Sequence, residues 1–386
     1  MQTNNRWEAL DALRGLSVIG MLLNLNPGAW EHRFAWLDHA DWHGWSLIDL
    51  VFPIFLFCVG AALPLSLGAR IKKGADRQAL IKHLLCRSFA LIAMGVLLNA
   101  YPSFDWPHLR LPGILQRIGL CWGLVGTLLV LTSKADASQG LVIRARMIAA
   151  IAVSVLLFYW IFLAAVPVPG FGAPRFDSLG SWPPVIDRAV FGVDHMFIYG
   201  TTDGKVTYDP EGLLSTLPAC FNVLAGVLAA YLLAQKKSSR PVAATLAAGL
   251  GLVVLGLLLD RYCPIVKKIW TSSFALLGSG FSLLLLAAFT GFLNRFKVSP
   301  LMFPLRVFGA NALLAFIICS LMMPVMDANF IPSGPLKTSI RQSGYAALHA
   351  FISQPGHASF VYSLLVLGVI FLILWPLYQR RWFLKL

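Results

Sequence analysis

Charge is scarce in this chain of 386 residues. Asp, Glu, Lys and Arg make up 12%, about half of the roughly 25% that a water-exposed domain carries. That shortage excludes an ordinary aqueous surface. Acid is the scarcer sign, with 17 Asp and Glu against 31 Lys and Arg and a formal net charge of +14. The basic residues sit in short clusters between apolar runs, which is the pattern of membrane loops and not of nucleic-acid binding. Cysteine is limited to Cys58, Cys86, Cys121, Cys220, Cys263 and Cys319, most of them inside apolar runs and none in a C-x-x-C pair. Structural cysteines are expected, with no metal site and no disulfide framework. The first apolar run, Leu16 to Leu25, leads into Asn26-Pro27-Gly28 and not into a small-residue cleavage site, so no cleavable signal peptide is expected.

Apolar residues are abundant instead: 58% of the chain is hydrophobic, and the mean hydropathy is +0.73. A helix that crosses a bilayer needs about 20 apolar residues, so ten crossings use about 200 and leave room for functional loops. The runs 9–26, 47–68, 84–101, 112–132, 146–166, 212–234, 242–260, 270–293, 301–323 and 358–379 predict an all-α, polytopic membrane protein with about ten transmembrane helices, organised as one domain over 1–386. Lys and Arg in short loops set the orientation. Arg6, Arg70, Lys72, Lys73, Arg77, Lys82, Arg87, Lys134, Arg144, Arg146, Lys236, Lys237, Arg240, Arg295, Lys297, Arg380, Arg381 and Lys385 fall on one side by alternation, which places both termini in the cytoplasm. The opposite loops 27–46, 102–111, 167–211, 261–269 and 324–357 are longer and rich in aromatics.

The densest polar cluster runs from Asp38-His39-Ala40-Asp41-Trp42-His43-Gly44-Trp45 to Asp49. A His39/His43 pair four apart can bind a metal on a helix, but no third ligand follows and Gly44 breaks the helix. A base or nucleophile is the better reading of His39, because a neutral imidazole beside carboxylates suits proton transfer near pH 7. His43 reads as an interface cap. Asp49 lies just inside a span, where a carboxylate is expensive and functional by default. Arg117, one turn into another span, needs an anionic partner, either Asp49 or Asp105 or a ligand. Asp11 and Arg14 interrupt the first run at i,i+3 and either pair locally or offer Arg14 to a phosphate. Asp209-Pro210-Glu211 reads as an ordinary helix start. Lys267 and Lys268 run against the charge bias of their side and meet either a lipid phosphate or an acidic ligand. Asn311 sits mid-run and needs a hydrogen-bond partner, most simply a neighbouring helix.

Several segments together resemble the heparan-α-glucosaminide N-acetyltransferase family and its bacterial NagX-like (DUF5009) relatives. They are Leu10-Asp11-Ala12-Leu13-Arg14-Gly15-Leu16, Asn26-Pro27-Gly28, His39 to Trp45 continuing to Asp49-Leu50-Val51-Phe52-Pro53, and Gly113-Ile114-Leu115-Gln116-Arg117-Ile118. Asp209-Pro210-Glu211-Gly212, Trp270-Thr271-Ser272-Ser273-Phe274 and Gly309-Ala310-Asn311-Ala312-Leu313 complete the set. The large luminal N-terminal domain of the animal members falls outside the resemblance. The resemblance implies that cytoplasmic acetyl-CoA gives its acetyl group to the amine of a glucosamine-type sugar on the periplasmic side of a bacterial inner membrane. It also implies that the catalytic histidine is His39 and that the protein is a homodimer. The family carries an asparagine where this chain has Leu25, and Asn24 or Asn26 takes its place.

On that reading Asp38, Asp41 or Asp49 orients His39, and Asn26 and Gln116 donate to the thioester oxygen. Arg14, Arg117, Trp270, Ser272 and Asn311 are expected at the donor. Asp41, Trp42, His43, Trp45, Glu211 and Lys268 are expected at the acceptor, with loops 167–211 and 324–357 above it. Two other readings share the same spans: an amino-sugar permease, and an O-acetyltransferase of envelope polysaccharide.

Overall fold

A computed structural model describes residues 8–138, 140–234, 241–295, 302–333 and 336–384. Arg6, Lys236, Lys237, Arg240, Lys297 and Lys385, used above to orient the chain, lie outside the described residues. The described residues form thirteen α-helices and three short antiparallel hairpins. Eight helices are long and apolar enough to cross a membrane: α2 (Val51–Ile71), α3 (Arg77–Ala100), α4 (Ile114–Thr132), α5 (Ala145–Ala165), α7 (Thr216–Ala234), α8 (Pro241–Leu259), α9 (Ser272–Arg295) and α13 (Pro355–Gln379). The chain is an all-α, multi-pass membrane protein. α1 (Glu8–Leu25) covers the first apolar run and carries Glu8, Asp11 and Arg14. Two short amphipathic helices, α6 (Trp182–Phe191) and α12 (Ile340–Phe351), lie in the two longest loops.

Two boundaries differ from the apolar runs for physical reasons. α3 begins at Arg77, seven residues early, because the Asp76 carboxylate caps it by accepting from the Ala79 N–H at 2.7 Å. Arg77, Lys82 and Arg87 therefore lie on a helix and not in a loop. The run 301–323 is not one rod but two helices, α10 (Met302–Ala310) and α11 (Ala312–Asp327), bent by 80° at Asn311. Asn311 has non-helical backbone angles (φ −122°, ψ 37°), and asparagine is a poor helix former.

The chain divides into two compact units. The first comprises Met1–His39, Ser46–Phe52 and Phe292–Lys385. Its backbone is locked at two glycine notches between α1 and α10. A Cβ on Gly15 would come within 1.8 Å of the Leu305 carbonyl oxygen, and one on Gly309 within 1.8 Å of the Asp11 carbonyl oxygen. Such contact lets two helices approach as closely as backbones allow. The segment after α1 is clamped from later helices. Arg341 of α12 donates to the Pro27 carbonyl at 2.5 Å and pairs with Asp327 at 2.5 Å. The Gly28 N–H donates to the Ser359 carbonyl of α13 at 3.2 Å. The second unit comprises Ala40–Trp45 and Pro53–Gly291. There, Gly60 of α2 rests on the Val223 backbone of α7, and Gly226 of α7 on the Phe57 backbone.

Candidate active site

In the first unit, His39 stands between a buried carboxylate and an amide. Its Nδ1 is 2.7 Å from the Asp49 Oδ1, and its Nε2 is 3.0 Å from the Asn24 Nδ2. Asp49 is fully buried, whereas the His39 side chain is 38% exposed. The other Asp49 oxygen accepts from the Ser46 N–H at 2.9 Å and from the Ser46 hydroxyl at 3.0 Å. Local sequence builds this: Ser46-Leu47-Ile48-Asp49 is a capping box on the 3-10 turn Leu47–Leu50 that leads into α2. An ionised Asp49 has only acceptors, so His39 presents Nδ1–H to it and leaves the Nε2 lone pair facing the Asn24 amide. The Asn24 carbonyl oxygen is turned toward the Arg33 guanidinium at 3.4 Å, which fixes the amide with its N–H toward His39. Base, orienting carboxylate and a third polar group thus stand in a row.

Of the three carboxylates named as candidates for orienting His39, Asp49 is the one bonded to it; Asp38 pairs with Arg33 at 2.5 Å, and Asp41 is exposed. Residues 39–43 are not helical, and His43 is exposed. Among the described residues no three His, Cys, Asp or Glu gather to hold a metal. Asn26 does not reach His39: its Nδ2 donates to the Leu22 carbonyl at 2.8 Å and to the Cys319 Sγ at 3.2 Å. The amide on the imidazole is that of Asn24, one helical position from Leu25. Arg14 pairs with Asp11 at 2.5 Å and donates from Nε to the Gly309 carbonyl at 2.5 Å. Asn311 is buried at the α10–α11 bend.

The second unit carries the remaining candidates. Arg117 of α4 is 1% exposed. Its Nη2 donates to the Gly212 carbonyl at 3.0 Å and to the Ser215 hydroxyl at 2.5 Å, and the guanidinium lies 5.0 Å from the Trp270 ring centre. Its Nε and Nη1 have no hydrogen-bond partner among the described residues. Asp105 is engaged by His108 at 2.9 Å. Trp270 is buried and donates to Asn222 at 2.9 Å. The Ser272 hydroxyl donates to the Leu156 carbonyl at 2.8 Å, and the Gln116 amide to the Leu111 carbonyl at 3.0 Å.

The acceptor candidates of this unit hold one another. The Trp42 indole donates to the Phe176 carbonyl at 2.7 Å and meets Tyr208 edge-on at 5.0 Å. The Lys268 ammonium donates to the Asp41 carbonyl and lies 5.4 Å from the Tyr208 ring centre. Trp45 leans on Phe281 at 5.3 Å. Glu211 pairs at 2.6 Å with Arg110, which also grips Asp209 through two nitrogens at 2.6 and 2.9 Å. Both carboxylates raise the Arg110 pKa. Arg110 was not singled out by sequence, and neither was Asp187 of α6. Burial pushes the Asp187 carboxyl up to about 7, and nearby Asp209 adds to the rise. Its Oδ1 accepts from the Leu213 N–H at 2.8 Å.

Residues 6–160 match a family model described as a domain of unknown function, DUF5009. The chain is 27% identical over 354 residues to a heparan-alpha-glucosaminide N-acetyltransferase of Homo sapiens, covering 81% of this chain and 52% of that one. The chain is similar to that acetyltransferase along most of its own length. A second relative, the heparan-alpha-glucosaminide N-acetyltransferase of Mus musculus, is also 27% identical, over 355 residues and 53% of its length. The chain thus spans about half the length of these curated acetyltransferases.

Proposed function

We propose that the protein is a transmembrane N-acetyltransferase that takes acetyl-CoA from the cytoplasmic side and acetylates the amine of a glucosamine-type sugar on the periplasmic side of a bacterial inner membrane. The observation that carries this reading is the row Ser46–Asp49–His39–Asn24, with similarity to two named N-acetyltransferases beside it. Asp49 holds His39 in the Nδ1–H form and stabilises the imidazolium that forms on proton uptake. The acceptor enters as a neutral amine. Nε2 removes one proton as the nitrogen attacks the thioester carbon. A C–N bond forms, the C–S bond breaks, and the proton passes to the leaving thiolate, giving the N-acetyl sugar and free CoA. Asn24 Nδ2, displaced from Nε2 by the acceptor, is positioned to donate to the carbonyl oxygen as negative charge builds on it. Arg14 and Asn311 are the donor candidates of the first unit, and Gln116, Arg117, Trp270 and Ser272 those of the second. Asp41, Trp42, His43, Trp45, Glu211 and Lys268 are assigned to the acceptor.

The test is mass spectrometry of glucosamine incubated with purified protein and acetyl-CoA. Wild type should yield N-acetylated sugar and an equal amount of CoA. His39→Ala should abolish both while keeping the wild-type melting temperature and elution volume. Transfer that persists without His39 would overturn the mechanism. Accumulation of unmodified sugar in proteoliposomes without acetyl-CoA would replace the enzyme with a permease.

A further inference from the structure

Arg33 lies in the stretch of chain that leads from Asn24, at the end of α1, to His39. It is the extended residue that follows the 3-10 turn Trp30–His32. Four contacts fix its guanidinium. Nη1 donates to the Asn24 Oδ1 at 3.4 Å, Nε donates to the Trp30 carbonyl at 3.3 Å, and Nη2 meets the Asp38 Oδ1 at 2.5 Å. The Trp30 indole supplies the fourth, with the guanidinium 5.2 Å from its ring centre, within the range of a cation–π contact. A planar cation with donors on three nitrogens suits so many-sided a seat, as a compact ammonium does not. The charged groups set around the imidazole are Asp49, on Nδ1, and the Arg33–Asp38 pair. Arg341, 5.7 Å from the Trp30 ring centre, is neutralised by Asp327.

An amide can turn either end toward a neighbour, and its partners decide which. The imidazole Nε2 can donate or accept, so it does not decide. A guanidinium has donors only. Arg33 therefore admits only the Asn24 oxygen, and the Nδ2–H faces the His39 Nε2 at 3.0 Å. We propose that Arg33 is a positioning residue for proton transfer: by holding the Asn24 amide with its N–H toward Nε2, it keeps that nitrogen a proton acceptor and prevents His39 from retaining the proton it takes up. The inference rests on the reading of His39 as the base. Once Nε2 is protonated, it and Nδ2 confront each other donor to donor. Rotating the amide would relieve this by offering Oδ1 to the Nε2–H, but would turn the Nδ2–H groups toward the guanidinium. Asp49 favours the imidazolium from Nδ1, and the locked amide opposes it from Nε2. That balance suits a base that passes its proton on to a thiolate within each turnover. The same lock leaves Nδ2 as the donor for the carbonyl oxygen.

The experiment reads the proton on His39 with no acetyl-CoA present. Diethyl pyrocarbonate acylates neutral imidazole, and the His39 side chain, 38% exposed, is open to it. The full chain in phosphatidylcholine nanodiscs is labelled across the pH range in which imidazole titrates, and peptide mass spectrometry gives the pH of half reactivity at His39. Arg33→Met together with Asp38→Asn removes the pair without changing net charge and frees the amide to rotate. The half-reactivity pH should then rise by about one unit, a roughly tenfold gain in proton affinity of the kind one charge-assisted hydrogen bond supplies. In an Asn24→Ala background the same two substitutions should not move it, because no amide remains to turn. Asn24→Ala alone should also raise it, since the N–H that favours the neutral ring is gone, and this variant decides the sign even if the double substitution does not fold. A fall in Asn24→Ala would mean that the amide presents its oxygen and would overturn the inference. So would no rise on loss of the Arg33–Asp38 pair, or an equal rise with and without Asn24. Acetyl transfer dependent on His39 would then leave the enzyme reading intact. The expected shifts in a protein that transfers no acetyl group would keep the amide lock and sink the enzyme reading. Where transfer occurs, the acid limb of kcat should move upward with the half-reactivity pH in the Arg33/Asp38 variant, with little change in the KM for acetyl-CoA; a limb left in place would overturn the role in proton transfer.

Discussion

His39 is held by two neighbours, and each can be removed separately. Asn24→Ala takes the amide from Nε2 but leaves Asp49 on Nδ1. Loss of one donor to a developing oxyanion costs on the order of a hundredfold in kcat, so kcat should fall by about that factor with little change in the KM for acetyl-CoA. An unchanged kcat in steady-state assays would make Asn24 a packing residue. Asp187 offers a different handle, on stability. Its carboxyl titrates near 7 in the folded chain against an ordinary 3.8, so folding favours the protonated form. That contribution is full below about pH 4, fades as pH rises through 7, and is gone above it. Asp187→Asn mimics the protonated state and keeps an oxygen for the Leu213 N–H. It should raise the melting temperature at pH 8 and leave it unchanged at pH 4, as read by thermal scans across that range. The juxtaposition of His39 and Asp49 was open to sequence reasoning because polar residues stand out in a chain poor in charge. Asn24 was visible only as one of two substitutes for Leu25, since one helical position separates an amide that faces His39 from one that faces Cys319.

At the scale of elements, hydropathy marks where helices are but not whether they are continuous. Nine of the ten apolar runs became single helices, with ends set by local caps such as Asp76. The tenth broke at Asn311, because a run of apolar residues looks alike whether the backbone bends inside it or not. The small residues on either side carried the hidden signal. Gly309 and Gly15 are needed where α10 and α1 touch backbone to backbone. Gly309→Ala would drive a methyl into the Asp11 carbonyl, and overpacking of this kind costs about 1–3 kcal/mol. The variant should unfold at a lower temperature in detergent, and a melting curve that overlays wild type would disprove the close contact. α6 and α12 were missed inside loops because their amphipathic pattern is only 10 and 12 residues long.

For the whole molecule, composition fixed the class before any motif was read. With 58% hydrophobic and 12% charged residues, lipid is the solvent that suits so apolar a chain. The partners of the remaining charges were not legible. Arg110 reaches Asp209 across 99 positions, and Arg341 reaches Pro27 across 314. Pairings at such separations follow from how helices assemble, which a one-dimensional pattern does not encode.

The paired notches on α1 and α10 lie four residues apart on each helix, Gly15 with Asp11 and Gly309 with Leu305. Two such points forbid sliding: a shift by one turn would drive carbonyl into carbonyl. The two rods therefore behave as a caliper with its jaws locked. Because Asn24 hangs from one of these rods, its height relative to α10 is set by the same two stops.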